Sequence, residues 1–175
     1  MDTPMESNLK LSDDDSSELV DATHYRQIIG SLMYLTNTRL DICFAVNTLI
    51  QYLFQPRRVH LVAAKHVMRY LKGTIEFGLY YDNSHEYRLY GYTDADWAGS
   101  ISDKKSTSGG CYSLGSAMIS WFSRKQSSVA LSTSEGEYIA ACSASCEAIW
   151  LRKLMSGLFD LELDTTMIYV TTRVV

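Results

Sequence analysis

The chain has 175 residues, of which 46% are hydrophobic and 21% charged, and its formal net charge is −4. This is a globular composition, which excludes collagen-like, low-complexity and coiled-coil chains. Its apolar runs are far shorter than the roughly 20 residues of a membrane-spanning helix, so no membrane partner is expected. Because the first residues form neither a basic nor an apolar segment, no signal peptide is expected, and the predicted location is the cytoplasm or nucleus.

The amino-terminal segment is acidic and rich in serine. Through His24 it holds seven acidic residues and one basic residue, whereas the rest of the chain is slightly basic. Such a segment has too little apolar surface to offset the entropy of folding. Residues 1–20 are therefore predicted to form a disordered head.

Three short helices are predicted over residues 21–75, where apolar residues recur at helical spacing. They run from Tyr25 to Leu35, from about Ile42 to Leu53, and from about His60 to Lys72. Pro56 ends the second helix, and Gly73 is well placed to end the third. Their tight connections indicate one helical unit.

Aromatic and β-branched runs predict strands in the second half of the chain. The runs are Phe77 to Tyr81, Tyr87 to Thr93, Gly110 to Leu114, Met118 to Ser123 and Met167 to Val170. Turns are predicted at Asp82–His85 and at Gly115–Ser116. Strands, a long helix and a returning strand favour an α+β or α/β architecture.

The long helix is predicted from Ser132 to Leu158 and is expected to bury one apolar face. That face is predicted to consist of Ile139, Cys142, Cys146, Ile149, Trp150 and Leu154. The cysteines, which include Cys43 and Cys111, show neither C-x-x-C nor zinc-type spacing. They are expected to be buried thiols.

Two pairs of acids stand in positions that can carry chemistry. Asp94 and Asp96 end an apolar strand in GYTDADWAG, and Glu135 and Glu137 lie in the first turn of the long helix. Carboxylate oxygens are suitable ligands for Mg²⁺. Aspartate is also an ordinary turn residue, and acids are favoured at helix starts without any catalytic role.

Several long motifs occur in one order along the chain. They are YRQIIGSLMY at Tyr25–Tyr34, LTNTRLDICFAV at Leu35–Val46, PRRVHLVAAKHVMRYLKGT at Pro56–Thr74, GYTDADWAGSISDKKSTSG at Gly91–Gly109, and the stretch Ile119–Leu154. Together they resemble the tail of the Pol polyprotein of copia-type LTR retrotransposons, from the end of the reverse transcriptase into ribonuclease H. The resemblance covers about Met5 to Val170.

The resemblance implies an α+β chain in which a helical connection unit over 21–75 precedes a truncated ribonuclease H-like domain over 76–175. That domain is expected to have a mixed sheet and one long helix. Asp94 and Glu137 match two of the family's metal-binding carboxylates, which hold paired Mg²⁺ ions that activate water against RNA–DNA hybrids. Thr171 stands where the family has its third, an aspartate. The expectation is vestigial Asp94 and Glu137, no productive Mg²⁺ binding and no enzyme activity.

A basic segment between Arg57 and Lys72 contains no acidic residue. Its Lys and Arg residues are Arg57, Arg58, Lys65, Arg69 and Lys72. Such a helix could lie along a nucleic-acid phosphate backbone. It could equally be a solvated face whose aliphatic stems cover the core. The family's polymerase signature, Y-x-D-D, is absent, so no polymerase activity is expected.

Three functions stay open at this point. The first is an inactive ribonuclease H-like relic that is at most a weak nucleic-acid binder. The second is an active ribonuclease H that takes its third ligand from Asp160 or Asp164. The third is an adopted interaction protein with an unknown protein partner, such as a pathogen effector secreted into host cells to suppress immunity, for which the only sequence hint is the loosely RxLR-like Arg69-Tyr70-Leu71-Lys72.

Overall fold

A computed structural model describes residues 2–6, 9, 11, 16–82, 87–100 and 102–171. The elements in chain order are α1 (Ala22–Leu35), a 3₁₀ helix (Leu40–Ile42), α2 (Cys43–Ile50), α3 (Arg58–Gly73), β1 (Leu89–Asp96), β2 (Thr107–Leu114), β3 (Ala117–Lys125), α4 (Thr133–Phe159) and β4 (Met167–Val170). The predicted α+β class is confirmed. The chain forms two compact units, Met1–Gly78 and Leu79–Val175.

One predicted strand is wrong, because Phe77 to Tyr81 has irregular backbone. Its aromatic side chains Phe77 and Tyr80 are exposed and belong to neither described core. Without packing of this kind, aromatic residues do not favour a strand. Most of the turn predicted at Asp82–His85 lies outside the described residues. In the part of the chain that the structure describes, no helix has the length and apolar character needed to cross a membrane.

The first unit packs α1, α2 and α3 around one core. Asp21 begins α1 by accepting a hydrogen bond from the Thr23 amide at 2.8 Å. The side chains in the middle of this core are Tyr25, Ile29, Leu32, Ile42, Val46, Leu49, Ala64 and Val67. They recur at helical spacing, and the three helices that this spacing predicts are confirmed.

A polar cluster ties the end of α3 to the segment between α1 and α2. Arg39 binds the Asp41 carboxylate through Nε at 2.9 Å and Nη2 at 2.7 Å, and it donates through Nη1 to the Thr74 carbonyl at 3.0 Å. The Tyr70 hydroxyl donates to Asp41 at 2.8 Å. These charge-assisted bonds fix the C-terminal end of α3.

The described part of the acidic head makes backbone contacts that its composition does not predict. Arg58 N–H donates to the Glu18 carbonyl at 2.9 Å, and Val20 N–H donates to the Pro56 carbonyl at 3.0 Å. Leu11 is a buried member of the first core. The disorder predicted for residues 1–20 falls in part on residues 1, 7–8, 10 and 12–15, which lie outside the description.

The second unit is built on a mixed four-stranded sheet with the order β3-β2-β1-β4. The pairs β1–β2 and β2–β3 are antiparallel, whereas β4 is parallel to β1. Gly115 has a φ of 60° in the predicted hairpin turn, which favours glycine. Helix α4 then returns the chain so that β4 can pair beside β1.

Helix α4 buries the opposite face from the one predicted. Its buried residues are Gly136, Ala140, Ala144, Ala148 and Leu151. Small residues let the helix backbone approach the sheet, and the buried Tyr112 hydroxyl donates to the Ala144 carbonyl at 2.6 Å. Cys142, Cys146 and Trp150 are exposed, so the expectation of buried thiols is wrong for both of these cysteines.

Candidate metal centre and nucleic-acid interface

Strand β1 alternates between two faces and carries Asp94 on its solvent side. Leu89, Gly91 and Thr93 are buried, whereas the alternate residues Tyr92 and Asp94 are exposed. The Asp94 carboxylate accepts one bond from the amide of Ala95, at 2.9 Å. The predicted first metal ligand is therefore an accessible carboxylate near the carboxyl end of β1, on its exposed face.

The neighbouring strand brings a threonine to the level of Asp94. Thr93 is paired with Val170, and the Thr171 amide donates to the Thr93 carbonyl at 3.1 Å. Tyr92 and Tyr169 stack with ring centroids 5.3 Å apart, which shows that alternate residues of the two strands share this face. Thr171 follows in the same alternation and offers a neutral hydroxyl beside Asp94.

Glu137 lies at the same end of the sheet, because the first turn of α4 is attached there. The buried Gln126 side chain donates to the Gly136 carbonyl and to the Ser108 hydroxyl, both at 2.9 Å. Ser108 is the β2 partner of Ala95, the residue after Asp94. Glu137 is half-buried, next to Gly136. Both acids therefore belong to this end of the sheet, although Asp94 lies on the exposed face of β1 and α4 packs on the face that carries Leu89 and Tyr112.

The two neighbouring acids have local structural partners. The Asp96 carboxylate lies against Gly99, and a Cβ at that glycine would collide with it. Glu135 accepts a hydrogen bond from the Leu131 amide at 2.7 Å, while Ser132 accepts one from the Glu135 amide at 3.1 Å. This reciprocal bonding stabilises the beginning of α4. Neither acid was predicted to be a ligand.

The described residues around Asp94 do not supply the donor set of a two-magnesium centre. Within the described ranges, no group of three or more His, Cys, Asp or Glu side chains is placed to hold a metal ion. Asp164 lies 3.9 Å from Arg88, which precedes β1, so it belongs to the other end of the sheet from Asp94. Two carboxylates and a hydroxyl lack the charge that paired divalent ions need.

Four of the five predicted nucleic-acid-binding residues form a line along α3. Arg58, Lys65, Arg69 and Lys72 are exposed and follow one another at intervals of seven, four and three residues, which keeps them on one helix face. At 1.5 Å per residue the line is about 21 Å long. We call these four residues the basic stripe.

Arg57, the fifth, lies outside the stripe at the start of α3. Its guanidinium donates to the Ser17 carbonyl at 2.8 Å, and its amide donates to the Nδ1 atom of His60 at 3.0 Å. His60 is buried and stacks on Tyr52 with ring centroids 3.9 Å apart. Arg57 therefore fastens the head to the helix. Its position in the sequence already sets Arg57 off the helix face of the stripe, but a simple count of basic residues does not show this.

The fold and the site define a class of chain. A helical unit with a basic surface is followed by a sheet, and one end of that sheet carries acidic side chains but, among the described residues, too few donors for a pair of metal ions. The retrovirus-related Pol polyprotein from transposon RE1 of Arabidopsis thaliana is 43% identical over 156 residues, which are 89% of this chain and 11% of that protein. The corresponding protein from transposon TNT 1-94 of Nicotiana tabacum is 40% identical over 163 residues.

The chain belongs to the family of copia-type, retrovirus-related transposon Pol polyproteins. It spans about a tenth of the length of those polyproteins. It is also similar to secreted RxLR effector protein 161 of Plasmopara viticola, with 43% identity over 128 residues that make up 73% of this chain and 90% of the effector. No protein-family model and no solved structure matches the chain.

Proposed function

We propose that this transposon-derived chain is a ribonuclease H-like fragment that binds RNA–DNA hybrid or related nucleic acid weakly and does not cleave it. The observation that carries the proposal is the register of β1 and β4, in which Thr93 pairs with Val170 and the Thr171 amide donates to the Thr93 carbonyl, so that Thr171 comes to the level of Asp94. A metal-dependent nuclease needs carboxylate charge at this place, and a hydroxyl does not supply it. Asp160 and Asp164, the alternative donors, precede β4 at its other end.

The basic stripe supports the binding half of the proposal. Four exposed cations on one face, with no acidic side chain between Arg57 and Lys72, suit a phosphate backbone. Such contacts are independent of base sequence and weaken as salt rises. Contact with four phosphates gives a slope of log affinity against log salt of about −3.6 on duplexes of the B form.

The test of binding is a salt titration. The intact chain is titrated into a fluorescent RNA–DNA hybrid at several ionic strengths, and the anisotropy is read. The proposal predicts weak binding with a slope between about −3 and −4. Affinity that does not change with salt, or no binding at low salt, would remove the stripe from the proposed function.

The similarity to secreted RxLR effector protein 161 favours a second candidate function, an adopted interaction protein in host cells. Nearly the whole of that effector, 90%, aligns with this chain. The local hint from Arg69–Lys72 has a structural objection, since Tyr70 is only 5% exposed within α3 and bonds Asp41. A peptide receptor could read it only after α3 unfolds.

An expression experiment separates the two functions. The chain and a variant with Lys65→Gln and Arg69→Gln are produced in plant cells, and the oxidative burst that follows an immune elicitor is measured. A burst suppressed equally by both proteins would favour the interaction protein. No suppression by either protein would favour the nucleic-acid-binding relic.

A further inference from the structure

The outer face of α4, directly opposite its buried Gly/Ala face, carries a second ordered pattern. Its members are Glu135, Tyr138, Ile139, Cys142, Cys146, Ile149, Trp150 and Lys153. We call these residues the outer stripe. Tyr138 is 78% exposed, Ile149 55% and Trp150 53%, and both cysteines are exposed as well. Large apolar side chains at this exposure, in line along a helix, are typical of an interaction surface.

The outer stripe has the spacing of a helix-pairing seam. Glu135, Ile139, Cys142, Cys146, Ile149 and Lys153 follow one another at intervals of four, three, four, three and four residues. This alternation keeps one narrow line of side chains towards a partner helix. With 1.5 Å per residue, the line is about 27 Å long.

The outer stripe is also symmetric about Ala144. Counting equal distances in both directions from this residue pairs Cys142 with Cys146 and Ile139 with Ile149. The same count pairs Tyr138 with Trp150. A surface whose two halves match under reversal is what an antiparallel twofold pair requires.

Charge gives the third argument, and it favours a second copy of this chain. The ends of the outer stripe are Glu135 and Lys153, which lie nine residues on either side of Ala144. In an antiparallel pair each glutamate faces a lysine of the second copy at both ends. In a parallel pair glutamate would face glutamate, which opposes association.

We propose that α4 pairs antiparallel with α4 of a second copy, through the outer stripe. The twofold axis crosses the helix at the level of Ala144, between Cys142 and Cys146. The aromatic residues Tyr138 and Trp150 anchor the two ends of the contact, and the cysteines meet around the axis. This pairing is independent of the proposed nucleic-acid binding, because the basic stripe belongs to the other unit.

The first test is the mass of the intact chain in solution under reducing conditions. Sedimentation equilibrium is expected to give twice the 19.8 kDa of one chain. The Trp150→Glu variant is expected to be monomeric. Leu158→Glu is the matched control, because Leu158 is 68% exposed on the same helix but lies outside the outer stripe. A 19.8 kDa species for the unmodified chain at every concentration, or equal loss of dimer in the control, would overturn the proposal.

The second test fixes the direction of the pair through its thiols. In a background with Cys111→Ser, single variants Cys142→Ser and Cys146→Ser are treated with diamide, which takes two electrons and two protons from two thiols as the disulfide forms. An antiparallel pair predicts no covalent dimer from either variant alone and a covalent dimer from their mixture. Covalent dimers from each single variant, with none favoured in the mixture, would show a parallel pair and overturn the assignment.

Charge reversal provides a readout that does not depend on thiols. Glu135→Lys and Lys153→Glu each place like charges opposite one another in the proposed pair, so each is expected to raise the dimer dissociation constant several-fold. The double variant restores opposite charges and is expected to recover the original constant. Since Glu135 also bonds the Leu131 amide, that recovery separates pairing from a weakened helix start. A double variant worse than both single variants would contradict the antiparallel arrangement.

Discussion

The two units of the chain differ in how their surfaces could serve function. The first unit presents charge as a line of exposed side chains on α3, whereas other residues of α3 face the core. The second presents charge at one point, the end of β1 and β4, where Asp94 has Thr171 beside it. A line of cations tolerates the loss of any one member, whereas a metal centre needs each carboxylate in place.

This difference is the basis of the proposal that the chain binds an RNA–DNA hybrid and does not cleave it. Phosphate contacts act nearly additively, so the four stripe residues contribute in proportion to their number. Residues that act as one catalytic unit are strongly non-additive. A threonine in place of the family's aspartate, as at Thr171, is therefore expected to cost more cleavage than the loss of one stripe residue costs binding.

The largest expected effect breaks the second unit at its core. Tyr112→Ala removes a fully buried ring and its 2.6 Å bond to Ala144, so we expect a loss of about 3–5 kcal/mol in the free energy of unfolding. The measurement is urea denaturation followed by circular dichroism. Tyr138→Ala on the outer face of the same packed helix is the control, and we expect it to change stability by less than about 0.5 kcal/mol in the monomeric Trp150→Glu background.

The next effect concerns the polar cluster of the first unit. Asp41→Asn weakens the charge-assisted bonds to Arg39 and Tyr70, and we expect it to cost about 1–2 kcal/mol, reduced by the partial exposure of the carboxylate. The bond from Arg39 holds the pKa of Asp41 below its ordinary value. This contribution is present above the unfolded pKa of about 3.9 and is lost as pH falls through the lower folded pKa.

Thermal unfolding from pH 7 down to pH 3 checks this sign. The stability difference between the intact chain and Asp41→Asn should shrink as the medium becomes more acidic than the unfolded pKa. A difference that stays constant throughout the acid range would mean that the Asp41 carboxylate does not stabilise the folded unit through its charge.

A smaller effect sharpens the comparison at the basic stripe. Lys65→Gln combined with Arg69→Gln is expected to lower hybrid affinity roughly tenfold and to reduce the magnitude of the salt slope by about 1.8. Fluorescence anisotropy measures both quantities. Lys104→Gln, an exposed cation in the second unit, serves as the control and should leave the slope unchanged. Equal losses in the two variants would indicate general attraction rather than a defined surface.

The smallest expected effect is a gain. Thr171→Asp places a second carboxylate beside Asp94, and we expect it to strengthen Mn²⁺ binding several-fold over the unmodified chain, as read by electron paramagnetic resonance. The further variant Asp94→Asn should abolish the gain. Unchanged Mn²⁺ affinity in Thr171→Asp would show that these two positions do not form one site.

Much of the fold follows from local patterns, and the exceptions have physical causes. The three helices of the first unit and the Gly115 hairpin are visible in periodicity and turn chemistry. The buried face of α4 is not, because hydrophobicity points to Ile149 and Trp150, while close approach to the sheet selects the Gly/Ala face. The strand predicted at Phe77–Tyr81 fails for lack of a neighbour to pair with.

The site was predictable only as far as the motifs reach. Asp94 and Glu137 could be named from their motifs, and the register beside Thr171 follows once β4 is known to be parallel to β1. The role of Arg57 depends on the carbonyl of Ser17, forty residues away, and such a tertiary contact has no local signal. The structural partners of Asp96 and Glu135 likewise became visible only in the folded chain.

The most direct test of the central claim is hybrid cleavage by the purified chain in Mg²⁺ and in Mn²⁺, beside its Asp94→Asn variant. Hybrid binding is measured in the same samples, so that a lack of cleavage is not confused with a lack of substrate. The account predicts bound hybrid and no cleavage above the Asp94→Asn variant in either metal. Cleavage by the unmodified chain that vanishes in Asp94→Asn would contradict it and would mean that another group completes the metal centre in place of Thr171.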